Sequence, residues 1–161
     1  MKINIGKTEL IHFVGIGGIG MSGLALIMDS LGFKIQGSDK LDNKNLNLLR
    51  KRKIPIYLNH NKQNIKNCTV LVVSSAIKKS NPEYRHATKL NLPIYKRGEL
   101  LGHIVSLMKN IVVTGSHGKT TTTSILSNIM NYAKLDPTII NGGVLNSIGS
   151  SAKLGKSDWS L

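Results

Sequence analysis

The stretch Leu10–Asp39, LIHFVGIGGIGMSGLALIMDSLGFKIQGSD, reads as a strand, a glycine loop, a helix and a second strand. Leu10–Val14 is an apolar run of strand type. Gly15-Ile16-Gly17-Gly18-Ile19-Gly20 contains the pattern G-x-G-x-x-G. Glycines at these positions allow a tight turn and a close approach of backbone to a diphosphate, which the following helix N-terminus attracts. Met21, Leu24, Ala25, Met28 and Leu31 share one helical face, and Gly32 suits the C-terminal cap. Phe33–Ser38 then predicts a strand ending at Asp39, about 20 positions past the last glycine, where a carboxylate can hold a sugar diol. The pattern leaves the ligand open. Asp39 could hold the ribose of a nicotinamide cofactor or of another nucleotide, and a plain helix–strand turn would use the same residues.

Working outward, strand and helix signals alternate. Asn43–Lys53 predicts a helix with Leu46 and Leu49 on its apolar side. Ile54–Leu58 predicts a short third strand, with Pro55 suggesting a sheet edge. His60 lies in a polar loop, NHNKQN, where a histidine is either solvated or a ligand contact. Thr69–Val73 reads as a fourth strand buried on both faces. Ser74 and Ser75 follow at its carboxyl end, the side on which open parallel sheets bind ligands. Asn81-Pro82-Glu83 starts a helix, Leu92–Tyr95 is a fifth strand, and Arg97-Gly98-Glu99 leads into a helix over Leu100–Met108. The fold class is therefore α/β, with a Rossmann-like parallel sheet over residues 1–108.

A second glycine loop lies in Asn110–Leu126, NIVVTGSHGKTTTTSIL. Ile111–Val113 reads as a buried strand. Gly115-Ser116-His117-Gly118-Lys119-Thr120 is the short G-x-x-G-K-T form, since Val113 stands where the longer pattern has its first glycine. Backbone N–H groups and a helix N-terminus make a phosphate seat there. Lys119 would reach the outer phosphates, and the Thr120 hydroxyl can ligate Mg²⁺, with Thr121 beside it. A bare glycine turn capped by threonines is the alternative, but Thr120–Thr123 is a poor helix start with nothing to bind. The helix is expected to bury Ile125, Leu126, Ile129, Met130 and Ala133. Thr138–Ile140 is strand-like, Val144–Leu161 is polar and glycine-broken, and Trp159-Ser160-Leu161 resembles a strand beginning. A P-loop ATPase also needs a carboxylate at a strand end for its metal. After Thr121 the only acids are Asp136 and Asp158. Residues 109–161 thus read as the incomplete start of a P-loop ATPase α/β domain.

Composition sets bounds on this picture. The chain has 161 residues, of which 40% are hydrophobic and 4% aromatic, so aliphatic side chains must fill the core. A single cysteine, Cys68, excludes an internal disulfide framework and belongs in a core or edge position. The net charge of +14 raises nucleic acid as a partner. The lysines are scattered, however, and the one dense cluster, Arg50–Lys53, has no interleaved aromatics. Lysine-biased usage accounts for it, and a positive field also favours phosphorylated ligands. No apolar run approaches the ~20 residues that span a membrane, and Met1–Leu10 has no secretory h-region. The expectation is a soluble cytoplasmic protein without nucleic-acid or membrane partners.

His12–Ala25, Gly37–Asp39, Val72–Ile77, Asn81–Glu83 and Val113–Ser124 together resemble the Mur ligase family. The resemblance runs in order over nearly the whole chain, and the pairing of GIGGIGMSG with the short G-x-H-G-K-T-T loop is specific. It implies three domains: a Rossmann-like UDP-sugar domain, a central ATPase domain and a C-terminal amino-acid domain. It also implies ATP and Mg²⁺ as cofactors. The members it most resembles join L-alanine to the lactyl carboxylate of UDP-N-acetylmuramate through an acyl phosphate, in peptidoglycan synthesis. By position, Gly15, Gly17, Gly18, Ile19, Gly20 and Met21 would face the UDP diphosphate. Ser38 and Asp39 would lie near the uridine, with Ser74 and Ser75 in the same pocket. Gly115, Ser116, His117, Gly118, Lys119, Thr120 and Thr121 would cradle ATP, Lys119 neutralising phosphate charge and Thr120 ligating Mg²⁺. His117 would touch the phosphates or the acyl phosphate. Ser116 replaces the commoner threonine and keeps the hydroxyl. The family pattern continues beyond Leu161 with an acidic segment, so the chain is expected to bind UDP-N-acetylmuramate without completing the reaction alone. A non-catalytic UDP-sugar module, an NAD-binding Rossmann protein and a relative acting on recycled muropeptides are the alternatives.

Overall fold

The computed structural model describes residues 5–6 and 8–161. The reading of Met1–Leu10 as free of a secretory h-region falls largely outside them. Five short strands form one parallel sheet: β1 (Leu10–Val14), β2 (Lys34–Ser38), β3 (Ile56–Tyr57), β4 (Val70–Val73) and β5 (Ile94–Lys96), in the order β3-β2-β1-β4-β5. β3 is the edge strand that Pro55 suggested. β1 lies at the centre, with Phe13 level with Gly37 on one side and Val72 on the other.

The connecting helices are those that the caps specify. α1 (Ile19–Ser30) is followed by Gly32 at φ 87°, the left-handed position expected of a C-terminal glycine. α2 (Lys44–Lys51) is capped by the Asn43 side chain, which accepts from the N–H groups of Asn45 and Leu46. α3 (Pro82–Lys89) is capped by Asn81 in the same way, with Pro82 in its first turn. α4 (Arg97–Ser106) begins with Glu99 accepting from the Lys96 N–H at 2.7 Å.

Alternation along the strands builds two cores. Ile11, Phe13, Val70 and Val72 pack with Met21, Leu24, Leu46, Leu49, Leu100 and Ile104, so α1, α2 and α4 cover that face. Val14, Leu71 and Val73 pack with Ala87 and Ile65 on the other, under α3 and a 3₁₀ turn at Lys62–Ile65. β4 is buried throughout, as its sequence indicated. Cys68 belongs to the second core and is buried, in agreement with the sequence reading.

Beyond α4 the structure departs from several expectations. β6 covers only Lys109–Asn110, paired parallel with β9 (Trp159–Ser160). Ile111 still donates its N–H to the Ser160 carbonyl at 2.9 Å, but β9 is too short to extend the ladder along Val112 and Val113. α5 (Lys119–Tyr132) buries Met130, as expected, but with it Thr123 and Ser127 rather than the rest of the expected apolar set. Leu126 is half-buried, while Ile125, Ile129 and Ala133 are exposed, because no described element covers their face.

The polar, glycine-broken tail is instead a hairpin. β7 (Ile139–Leu145) runs through Asn141-Gly142-Gly143 and pairs antiparallel with β8 (Ser150–Lys153). The register shifts between Ile140 and Leu145, which accommodates the two glycines within the strand. The hairpin lies on α1: Ala152 joins the first core, and Ser151 Oγ donates to the Ile19 carbonyl at 2.9 Å. A Cβ on Gly23 would come within 2.9 Å of both the Ala152 Cβ and Ser151 Oγ, so the bare backbone of Gly23 permits this contact.

Candidate functional site

The parallel sheet places the carboxyl ends of β1, β2 and β4 side by side. The first glycine loop leaves β1 with Gly15 at φ 80°. The N–H groups of Gly15 and Ile16 both donate to the Ser38 carbonyl, at 2.8 and 3.0 Å, which ties the loop to the end of β2. The Asp39 carboxylate accepts from the Gly17 N–H at 2.8 Å and from the Lys40 N–H at 2.8 Å. Asn45 and Asn43 donate to the Gly17 carbonyl at 2.7 and 3.3 Å. A Cβ on Gly17 would lie 2.6 Å from Asn43 Nδ2 and 2.9 Å from Asp39 Oδ2. Glycine is required there by space, not by backbone angle.

Of the residues singled out from the sequence, Gly15, Gly17, Asp39, Ser74 and Ser75 gather at this sheet edge. Ser74 donates its N–H to the Val14 carbonyl, and a Cβ on Gly15 would approach the Ser74 Cβ to 3.2 Å. Gly18, Ile19 and Gly20 open α1 and are at least partly exposed. Met21 is only 1% exposed and belongs to the core, so it can offer a ligand its backbone alone. The Ser38 side chain is fully buried and turns away, into a polar cluster beneath the sheet edge.

That cluster is the part sequence reasoning missed. Glu83 at the start of α3 has no exposed surface. Its Oε2 accepts from Ser38 Oγ at 2.6 Å and from His60 Nδ1 at 3.1 Å. Its Oε1 accepts from Asn64 Nδ2 at 2.7 Å and the Asn61 N–H at 3.3 Å, with His12 Nε2 at 3.6 Å. Burial alone would push the Glu83 carboxyl up. The His12 ring close by and the hydrogen bonds from Ser38 and Asn64 outweigh it and hold the group below the ordinary range. His60 is accordingly not a solvated loop residue, for its side chain is 5% exposed. The signal that could have found it was the pair of NHN and NPE segments, each carrying a capping asparagine beside an ionisable group.

The second glycine loop lies at the surface, and Gly115 through Thr121 are all exposed. Gly115 and Gly118 have φ of 149° and 78°. Among the described residues no side chain caps α5 at Gly118, which leaves the first N–H groups of the helix available to an anion. The Lys119 ammonium donates to the carbonyls of Gly115 and Ser116, so it already spans the loop. These features fit a polyphosphate. For a divalent cation the loop supplies the Thr120 hydroxyl. Among the described residues no group of three His, Cys, Asp or Glu side chains could hold a metal. Asp136 pairs with Lys153 at 2.6 Å and Asp158 with Lys109 at 3.0 Å. A Mg²⁺ ion here would therefore depend on phosphate oxygens and water for most of its shell. A cavity of about 530 Å³ lies between this loop and α4, lined by Gly98, Leu101, Val105, Lys119, Thr120 and Asn141 among others.

Comparison with known proteins agrees with this architecture. Residues 10–109 match the model of the Mur ligase family, catalytic domain. The chain belongs to the Mur ligase family. It is 67% identical over 161 residues to the UDP-N-acetylmuramate–L-alanine ligase of Pelagibacter ubique, covering 100% of this chain and 35% of that protein. Among solved structures it resembles the UDP-N-acetylmuramate-alanine ligase MurC of Thermotoga maritima, at 32% identity and a TM-score of 0.85, covering 95% of this chain and 37% of that one. It also resembles the UDP-N-acetylmuramate:L-alanyl-gamma-D-glutamyl-meso-diaminopimelate ligase of Neisseria meningitides, at 29% identity and a TM-score of 0.86, covering 94% and 51%. The chain thus spans about a third of the length of the curated relatives it matches. No helix among the described residues is long and apolar enough to cross a membrane.

Proposed function

We propose that this chain is the sugar-nucleotide-binding part, with the beginning of the ATP-binding part, of a UDP-N-acetylmuramate–L-alanine ligase. One observation carries the reading. A 67% identity to such a ligase runs unbroken across both glycine loops and the segment between them. In this reading residues 1–108 bind the UDP-sugar and residues 109–161 begin the ATPase domain.

The backbone of Gly15, Gly17, Gly18, Ile19, Gly20 and Met21 would face the UDP diphosphate. Asp39 would take the ribose hydroxyls, at the cost of its bond to the Gly17 N–H. Ser74 and Ser75 would border the same pocket, and Ser38 would act from beneath it. At the second loop, Gly115 to Thr121 would hold ATP, Thr120 would ligate Mg²⁺ with the phosphates, and His117 would stand at the outer phosphate. When bound, ATP and Mg²⁺ supply phosphorylation of the lactyl carboxylate and the stabilisation of phosphate charge. Lys119 would neutralise that charge. L-alanine would be bound by parts that the longer relatives possess beyond this region, so the chain alone would not turn over.

Titration calorimetry with UDP-N-acetylmuramate tests the reading on the wild type and on Asp39→Ala. Saturable binding that weakens about tenfold in the variant, the size of one good hydrogen bond, is the expected result. Absence of binding by the wild type would refute it. ADP release by this chain with UDP-N-acetylmuramate, L-alanine and ATP would refute the claim that it cannot act alone. The diaminopimelate-containing substrate named for the Neisseria relative is the second ligand to titrate, because the fold match to that enzyme is equally close.

A further inference from the structure

The buried cluster beneath the sheet edge borders a cavity that none of the assignments above explains. A space of about 590 Å³ is lined by Lys40, Asn59, His60, Ile77, Lys78 and Asn81 among others. Of these, His60 alone belongs to the cluster itself.

The protons of the cluster can be placed from its hydrogen bonds. Gln36 Nε2 donates to the Asn64 carbonyl at 2.7 Å, which fixes the orientation of its amide, and the same nitrogen lies 3.1 Å from His12 Nδ1. His12 Nδ1 therefore accepts, and its proton sits on Nε2, directed at Ser38 Oγ 3.3 Å away. Ser38 Oγ, receiving that proton, donates its own to Glu83 Oε2 at 2.6 Å. His60 Nδ1 lies 3.1 Å from the same oxygen of Glu83 and 3.0 Å from Ser38 Oγ. An ionised carboxylate can only accept, so His60 Nδ1 carries a proton and donates it. The ring geometry then turns His60 Nε2 away from Glu83. No described residue hydrogen-bonds to it.

We infer that Glu83 is a positioning residue for nucleotide binding. It holds His60 with Nδ1–H turned inward, so that Nε2 stands as a hydrogen-bond acceptor on this cavity for an N–H of the ligand's base. The inference rests on the sugar-nucleotide reading and deepens it. The imide N–H of a uracil ring is a donor of the required kind, and the two carbonyls that flank it are acceptors suited to Lys40 and Lys78 of the cavity lining. The same arrangement explains the cost of burying a carboxylate here. Glu83 ties together His12 of β1, Ser38 at the end of β2, the 60–64 segment and the first turn of α3, and the last two of these pieces line the cavity. A carboxylate in the first turn of a helix is also favoured by the helix dipole.

Two variants test this, Glu83→Gln and His60→Asn. The first removes the obligate acceptor. The second keeps a donor in the place of Nδ1 and deletes Nε2. In the wild type, the side-chain ¹⁵N spectrum should show His60 protonated on Nδ1, and UDP-N-acetylmuramate should bind. Glu83→Gln should lose that tautomer and weaken binding about tenfold, the value of one hydrogen bond. His60→Asn should fold normally and weaken binding by a similar factor, which a purely structural role for the cluster would not produce. Wild-type affinity in His60→Asn would overturn the inference, even if Glu83→Gln failed to fold. A wild type in which His60 Nε2 carries a proton, in the other tautomer or in the imidazolium, would overturn it as well. A wild type with no affinity for UDP-N-acetylmuramate would remove the underlying reading and this inference with it.

Discussion

A carboxylate with no exposed surface must be compensated on both oxygens, and Glu83 is. Its pKa in the folded chain lies below the ordinary value of 4.5. The sign of the linkage follows: its contacts contribute stability in full above about pH 4.5 and lose it as the pH falls through the lower, folded value. Glu83→Gln should therefore lower Tm at neutral pH, with the difference from the wild type shrinking as the pH falls, so that the acid side of a plot of Tm against pH flattens. The same charge acts on Cys68. Burial first, and then the Glu83 carboxylate, push that thiol up to about 11, so it should react slowly with a thiol reagent at pH 8 until the chain is unfolded. At the glycine loop, Gly17→Ala should cost about 1–3 kcal/mol by overpacking against Asn43 and Asp39, read as a lower midpoint in urea. The loop was legible in the sequence because a glycine pattern between a strand and a helix has few other uses. The Glu83 cluster was not, because the NHN and NPE segments each show an ionisable group beside a capping asparagine but nothing local pairs His60 with Glu83, 23 residues away.

At the scale of elements, every strand and helix through α4 was legible, and the reason is physical. Each carries its own period and its own punctuation: Gly32 after α1, Asn43 before α2, Asn81-Pro82 before α3. The hairpin of β7 and β8 lacked such marks. Asn141-Gly142-Gly143 reads as a break, yet pairing across the hairpin and support from α1 hold it extended. Gly23→Leu should consequently release the hairpin, since any side chain there meets Ser151 and Ala152. Faster amide exchange over residues 139–153, with the first sheet still protected, would show it. In α5 the sequence misjudged burial, because periodicity marks an apolar face but not its cover. Ile125 and Ile129 are 55% and 58% exposed, so Ile125→Glu and Ile129→Glu should leave Tm within a degree or two, as surface substitutions do.

Over the whole molecule, two phosphate-type loops are carried by one chain with a net charge of +14. They differ in readiness. The first is stitched to β2, Asp39 and Asn45 and roofs a packed core, whereas the second is exposed and spanned by Lys119. A dehydrogenase-like reading would use the first loop and leave the second without a purpose. The Mur ligase reading uses both, with the sugar nucleotide at the more heavily hydrogen-bonded loop. Thermal unfolding of residues 1–161 beside UDP-N-acetylmuramate, NADH and Mg-ATP in turn separates these accounts most directly. Ligand at about 100 times its dissociation constant stabilises a fold by roughly 2.7 kcal/mol. A rise in Tm with UDP-N-acetylmuramate and none with NADH is the predicted result, whereas a rise with NADH alone would contradict it.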